Sequence, residues 1–214
     1  MPDPVFLITG ASSGIGAATA RRAARAGYRV VLAARSRDRL TALAEELGGA
    51  ERALAVPCDV TEWDEQRRLV EAALETYGRI DVAFANAGFG GPRGFLEGDP
   101  EQWRAMVLTN VYGVALTLRA TIPALRETRG HLLLTGSVAG RRVMPGSLYS
   151  ATKHAVTAMA EAVRQDLHGS GVRVTLLSPG VVATPFWDVE APGDAPLSDD
   201  DVADAVMYAI TRPP

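Results

Sequence analysis

The sequence predicts a single α/β domain, residues 1–214, built on a Rossmann-type doubly wound parallel sheet with helices on both faces. Three observations predict it. Short apolar, β-branched runs alternate with longer stretches of helical period. Most of those runs are apolar at successive positions, as strands covered on both faces must be. A glycine-rich turn follows the first run directly, where an open parallel sheet binds its ligands.

The runs are VFLIT (5–9), RVVLAA (29–34), RALAVP (52–57), IDVAFAN (80–86), HLLLTGS (131–137) and VRVTLLS (172–178). Between them the period predicts helices near 14–26, 37–47, 62–77, 100–126 and 150–168. The first opens at the glycines and is expected to stop at Gly27; the third is expected to start from Thr61 as N-cap, with acids in its first turn. The segment TPFWDVEAPGDAPLSDDD (184–201) is the least regular, rich in Pro, Gly and Asp yet carrying Phe186 and Trp187. Its stretch 185–198 reads as a mobile substrate flap with an apolar tip. Trp63 and Trp103 read as packing residues.

Bulk properties narrow the function. Hydrophobic content of 47% and charged content of 22% are ordinary for a soluble globular protein, and a net charge of −3 gives no support for nucleic-acid binding. One cysteine, Cys58, fits a reducing cytoplasm. No uninterrupted apolar run has membrane length, the N-terminus lacks a signal peptide's basic region, and His131, His154 and His168 form no metal-ligand cluster.

LITGASSGIGAA sets Gly10, Gly14 and Gly16 between a buried strand and a helix. Glycines there allow a tight turn and close approach to a pyrophosphate, while the helix start offers free N–H groups to an anion. The second strand ends LAARSRDR: neither Ala33 nor Ala34 is an acid, and Arg35 and Ser36 follow. An acid would repel a 2′-phosphate and a guanidinium accepts it, so NADP(H) is favoured over NAD(H).

One further feature stands out. Lys153 is the single lysine among 22 basic residues, four positions after Tyr149 in SLYSATKHA. Residues four apart share a helix face, and a compact ammonium differs from a guanidinium fork in what it can bond.

With these residues assembled, the sequence resembles the short-chain dehydrogenase/reductase family. TGASSGIG (9–16), NAG (86–88), YSATK (149–153), Ser137 in LLLTGSVAG, Asn110 in LTNVYG and SPGVVAT (178–184) carry the resemblance in order. The resemblance implies an NADP(H)-dependent oxidoreductase acting between a carbonyl and a secondary alcohol, with a catalytically silent NADP(H)-binding regulator as the alternative. It implies Tyr149 as acid/base, Lys153 as its partner, Ser137 as substrate anchor and Asn110 in a water-linked proton relay. Gly10, Ser12, Ser13, Gly14, Ile15 and Gly16 would hold the cofactor's phosphates, Asp59 and Val60 the adenine. Asn86, Ala87 and Gly88 would line it on strand four; Pro179, Gly180, Val182 and Thr184 would hold the nicotinamide end. A homodimer or homotetramer is implied, through the helices around 100–126 and 150–168. The family's sheet normally gains a seventh strand after the last helix; here the sequence stops at YAITRPP, so that strand is expected to be trimmed or missing.

On this reading Tyr149 gives a proton to the carbonyl oxygen as hydride reaches carbon, and the Lys153 ammonium lowers the phenol's pKa. Ser137 hydrogen-bonds the developing oxyanion. Phe89, Phe95, Val143, Met144, Leu148, Phe186 and Trp187 suggest an apolar substrate wall. Arg93, Arg141 and Arg142 are candidates for binding a substrate carboxylate, beside the alternative of ordinary solvated arginines.

Overall fold

A computed structural model describes residues 3–186, 191 and 195–213. Six parallel strands form its sheet: β1 (Val5–Thr9), β2 (Arg29–Ala34), β3 (Ala53–Pro57), β4 (Val82–Ala85), β5 (His131–Thr135) and β6 (Arg173–Leu177). They lie in the order β3-β2-β1-β4-β5-β6, with β6 at one edge. Among the described residues no seventh strand joins them.

Alternation along each strand divides the core in two. Leu7, Val31, Ala83 and Leu132 face α3 (Trp63–Tyr77), α5 (Val114–Thr128) and α6 (Leu148–Asp166) through Leu69, Leu118, Leu125 and Val156. Phe6, Ile8, Leu32 and Phe84 face α1 (Gly14–Arg25), α2 (Arg37–Glu46) and α7 (Asp199–Thr211) through Ala20, Leu40, Val206 and Ile210. Central strands buried on both sides explain the unbroken apolar runs in the sequence.

Four local features depart from the sequence reading. The expected helix 100–126 is α4 (Pro100–Val107), a π-helical stretch (Leu108–Gly113) and α5. By length and composition Pro100–Thr128 could cross a membrane, but Met106, Val114, Leu118 and Leu125 are buried within the protein, which accounts for its apolar side. The N-cap of α3 is Glu62 rather than Thr61, whose hydroxyl donates to Asp59 Oδ1 instead (2.8 Å).

Helix α7 was not among the expected helices. Ser198 caps it in a reciprocal box with Asp201, and Arg173 closes its far end by donating to the carbonyls of Ile210 (3.2 Å) and Arg212 (2.8 Å). A short parallel pair, β7 (Val182–Ala183) with β8 (Leu197–Ser198), precedes it. Half of the expected flap 185–198, including Trp187, lies outside the described residues.

Candidate active site

The strand order reverses direction of growth between β1 and β4, so the connections after these strands diverge and leave a crevice at their C-terminal ends. The glycine turn fills one wall of that crevice. Gly10 has φ +67°, and a Cβ there would lie 2.9 Å from the Ala87 Cα, so only glycine lets the two backbones meet. Ser13 starts α1 without a side-chain hydrogen bond to the first turn, whose N–H groups therefore remain available at the crevice.

Asn86 holds this wall together. Its Nδ2 donates to the Thr9 carbonyl (3.0 Å), its Oδ1 accepts from Thr135 Oγ1 (3.0 Å), and its backbone N donates to Thr9 Oγ1 (3.0 Å). One side chain thus joins the ends of β1, β4 and β5. Gly16 is buried behind the turn, where a Cβ would meet the Gly10 carbonyl oxygen at 2.2 Å; its role is packing rather than lining.

At the outer end of the crevice, Ala34 ends β2, Arg35 and Ser36 follow it, and Arg39 from α2 joins them. Cys58, Asp59 and Val60 face them from the end of β3. Asp59 is oriented by Thr61, which donates to its Oδ1 from backbone N (2.9 Å) and hydroxyl, while its own N–H donates to Glu65 Oε2 (2.7 Å). Burial pushes the Cys58 thiol up to about 12, so it stays protonated and inert.

The inner end carries Ser137, Tyr149 and Lys153 on three neighbouring pieces of chain. Ser137 follows β5 and caps a single 3₁₀ turn, its Oγ accepting from Ala139 N (3.1 Å). Tyr149 and Lys153 stand one turn apart near the start of α6, and Lys153 Nζ is 5.7 Å from the Tyr149 ring centroid. Lys153 is 3% exposed and donates to the Thr135 carbonyl (2.8 Å).

Electrostatics here differ from the sequence expectation. Burial raises the Tyr149 phenol above its ordinary value, opposed by a hydrogen bond with Ser137. Burial lowers the Lys153 ammonium to about 8. In the chain by itself burial draws both groups toward their neutral forms, and the opposing influence on the phenol is the Ser137 hydrogen bond.

Asn110 lies in the π-helical stretch and is fully buried. Its Nδ2 donates to the Phe89 carbonyl (2.8 Å) and to Thr152 Oγ1 (3.1 Å), and its Oδ1 accepts from Phe89 N (3.0 Å). It clamps the backbone of the loop after β4 from behind the wall.

The crevice encloses about 610 Å³, within the range of small-molecule and cofactor sites. Every candidate cofactor residue named from the sequence lines it except Gly16, and every candidate catalytic residue except Asn110. Of the expected apolar wall, Phe89, Met144 and Phe186 line it. Phe95 instead packs edge-on against Trp103 (5.6 Å), and Val143 is 78% exposed. Arg93 lines the cavity, whereas Arg141 and Arg142 are exposed elsewhere. The sequence reading missed Arg39, Gln102, Thr109 and Thr135; only Arg39, one helical turn beyond Arg35, carried a legible signal.

Comparison with known proteins decides the family. A profile described as short chain dehydrogenase matches residues 4–194. The chain belongs to the short-chain dehydrogenase family. An uncharacterized oxidoreductase of Staphylococcus saprophyticus is 37% identical, covering 100% of this chain and 93% of that protein. An alcohol dehydrogenase from Thermococcus sibiricus, solved with 5-hydroxy-NADP, superposes with TM-score 0.90 at 34% identity, over 98% of this chain and 91% of that one. A 3-ketoacyl-(acyl-carrier-protein) reductase from Brucella melitensis, solved with NADH, gives TM-score 0.91 at 31% identity, over 98% and 91%. This short-chain dehydrogenase is accordingly an oxidoreductase.

Proposed function

We propose that this oxidoreductase uses NADP(H), in preference to NAD(H), to interconvert a small carbonyl compound and its secondary alcohol, with Tyr149 as the general acid/base. The observation that carries the proposal is the convergence of Ser137, Tyr149 and Lys153 on the inner end of a cleft whose outer end is a glycine turn. The residues present fit a dinucleotide: open N–H groups at the start of α1 suit a pyrophosphate, and Arg35 and Arg39 suit a 2′-phosphate. Relatives solved with both NADP- and NAD-type cofactors support the nicotinamide class, and the preference for NADP(H) rests on the two arginines.

When bound, the cofactor gives a hydride to the carbonyl carbon or takes one from the alcohol. Ser137 orients the carbonyl oxygen by hydrogen bonding and stabilises the charge that grows there. Tyr149, kept protonated at neutral pH by burial, delivers its proton to that oxygen. Lys153 anchors the site through Thr135 and supplies further donors to the cofactor's ribose and to the proton path. Asn110 acts as a positioning residue by fixing the Phe89 backbone. The complete Ser137, Tyr149 and Lys153 set favours turnover over a silent nucleotide-binding regulator. The working assembly is a homodimer or homotetramer in the cytoplasm. Exposed Val107 and Tyr112 on the 100–128 helix support self-association, and the lone cysteine supports the compartment.

Tyr149→Phe provides the test. Loss of general acid catalysis should lower kcat for NADPH-dependent carbonyl reduction by about 10²–10⁴-fold while NADPH affinity stays nearly unchanged. Unchanged turnover in the variant refutes the assigned role.

A further inference from the structure

Which carbonyl compounds enter is decided by the walls beside Tyr149. Among the described residues five charged side chains line the cleft: Arg35 and Arg39 at the outer end, Asp59 near them, and Lys153 and Arg93 elsewhere. Lys153 is buried and bonded to Thr135, which leaves Arg93, among the described residues, as the charged group exposed at the substrate end. The rest of the described lining at that end is Phe89, Gly90, Gln102, Thr109, Met144 and Phe186, with no acid among these described residues.

Arg93 is also held in place. Its loop is stitched to the loop before α6 by the Gly94 N–H, which donates to the Gly146 carbonyl (2.9 Å). Its Nη2 donates to Met144 Sδ (3.2 Å). A thioether is a weak acceptor, and a guanidinium has five donors in a fork suited to a carboxylate. In the same cleft Phe186 packs edge-on against Tyr149 with ring centroids 5.6 Å apart, and a Cβ on Gly90 would lie 2.6 Å from its ring. Among the described residues this end of the site therefore offers an apolar wall beside Tyr149 and one exposed guanidinium, that of Arg93.

We infer that the substrate is an oxo acid and its hydroxy acid, whose carboxylate is received by Arg93 while the carbonyl sits between Ser137 and Tyr149. The inference rests on the reductase reading above and extends it to a substrate class. The carboxylate is a handle only. The carbonyl carbon gains a hydride, its oxygen gains the Tyr149 proton, the nicotinamide is oxidised, and the carboxylate leaves unchanged. Arg141 and Arg142, exposed away from the cleft, take no part.

The experiment measures NADPH-dependent reduction of pyruvate, acetoacetate and levulinate, each against its own methyl ester, by the wild-type protein, Arg93→Gln and Arg93→Lys. The wild type should prefer at least one acid to its ester. Arg93→Gln should cut kcat/KM for that acid about ten- to hundredfold, mainly through KM, and leave the ester within about twofold. Arg93→Lys should recover part of the loss, since charge remains but the fork is gone. A wild type that reduces the esters as well as the acids, or an Arg93→Gln variant that loses both equally, overturns the carboxylate assignment while the reductase reading stands. A wild type that binds NADPH but reduces neither series, nor a panel of neutral ketones and aldehydes, overturns the reductase reading and this inference with it.

Discussion

Replacing Arg35 with alanine should weaken NADPH much more than NADH, by an amount that follows from where the side chain stands. Arg35 directly follows β2, lines the outer end of the cleft and is exposed. Two unit charges 4 Å apart interact by about 1 kcal/mol in bulk water and about 4 kcal/mol at an effective dielectric of 20. Exposure places the pair with a 2′-phosphate near the lower limit, at about 1–2 kcal/mol once screening and side-chain ordering are discounted. The corresponding rise in KM for NADPH is about five- to thirtyfold, with NADH changed by less than about twofold. Arg39 lines the same end and should retain part of the discrimination, so Arg35→Ala/Arg39→Ala together should exceed either alone. The assay is kcat/KM for both cofactors with one carbonyl substrate, at 0.05 M and at about 0.5 M salt, where the difference should shrink. Equal loss for the two cofactors, or a wild type that prefers NADH, refutes the assignment of these arginines.

Two further outcomes concern stability. His131 is buried with Nε2 2.8 Å from Thr175 Oγ1, and burial, reinforced by Arg173, lowers its pKa from 6.5 to about 4. The unfolded chain therefore binds the extra proton first, so stability is full above about pH 6.5 and falls by about 3 kcal/mol on acidification through pH 4. Urea titrations at pH 7 and pH 4.5 should show this slope flattened in His131→Leu; an identical pH dependence in the variant would exclude His131 as its source. Asn86→Ala leaves the Thr9 carbonyl and the Thr135 hydroxyl without their partner at the crevice. It should lower Tm by about 5–10 °C and weaken NADPH binding together, and a variant with wild-type Tm and affinity would remove Asn86 from its role as clamp.

The strands were legible because buried parallel strands demand consecutive apolar residues, and the sheet has six of them where the runs stand. The pairing of Tyr149 with Lys153 was legible for a different reason: helix spacing places the two on one face regardless of context. Helix α7 also had its signal in Ser198, Asp201 and the Val202, Val206, Ile210 spacing, but the Pro- and Asp-rich composition just before it obscured the start. The π-helical stretch could not be read locally, since it is established only by how Asn110 and Gly113 meet Phe89 and Val60. Thr61 illustrates a competition: its hydroxyl bonds Asp59 rather than capping α3, and nothing in the composition ranks those two partners. Electrostatics were the hardest to anticipate. The spacing of Tyr149 and Lys153 is visible in a sequence, whereas the desolvation that raises the phenol and lowers the ammonium depends on the depth at which both are buried.

The last helix explains how the cleft is covered beside Thr184 and Phe186. The segment Pro179–Phe186 returns across the glycine turn, so that a Cβ on Gly14 would lie 3.1 Å from Thr184 Cβ. Three attachments keep it there: Val138 N donates to the Pro179 carbonyl (3.0 Å), β7 pairs with β8, and β8 leads without a break into α7. Helix α7 docks on α1, the helix whose N-terminus faces the cleft. Arg22 of α1 meets Asp200 (3.2 Å) and Asp204 (3.0 Å) of α7, but these pairs are substantially exposed and contribute little. Burial of Val202, Val206 and Ile210 supplies most of the attachment, since each buried aliphatic side chain is worth about 1.5–3 kcal/mol. The same helix α1 thus presents free N–H groups to the crevice and anchors, through α7, the segment that returns across the glycine turn. The shape of that turn and the placement of Phe186 against Tyr149 are therefore fixed by one packed pair of helices rather than by the ion pairs on its surface.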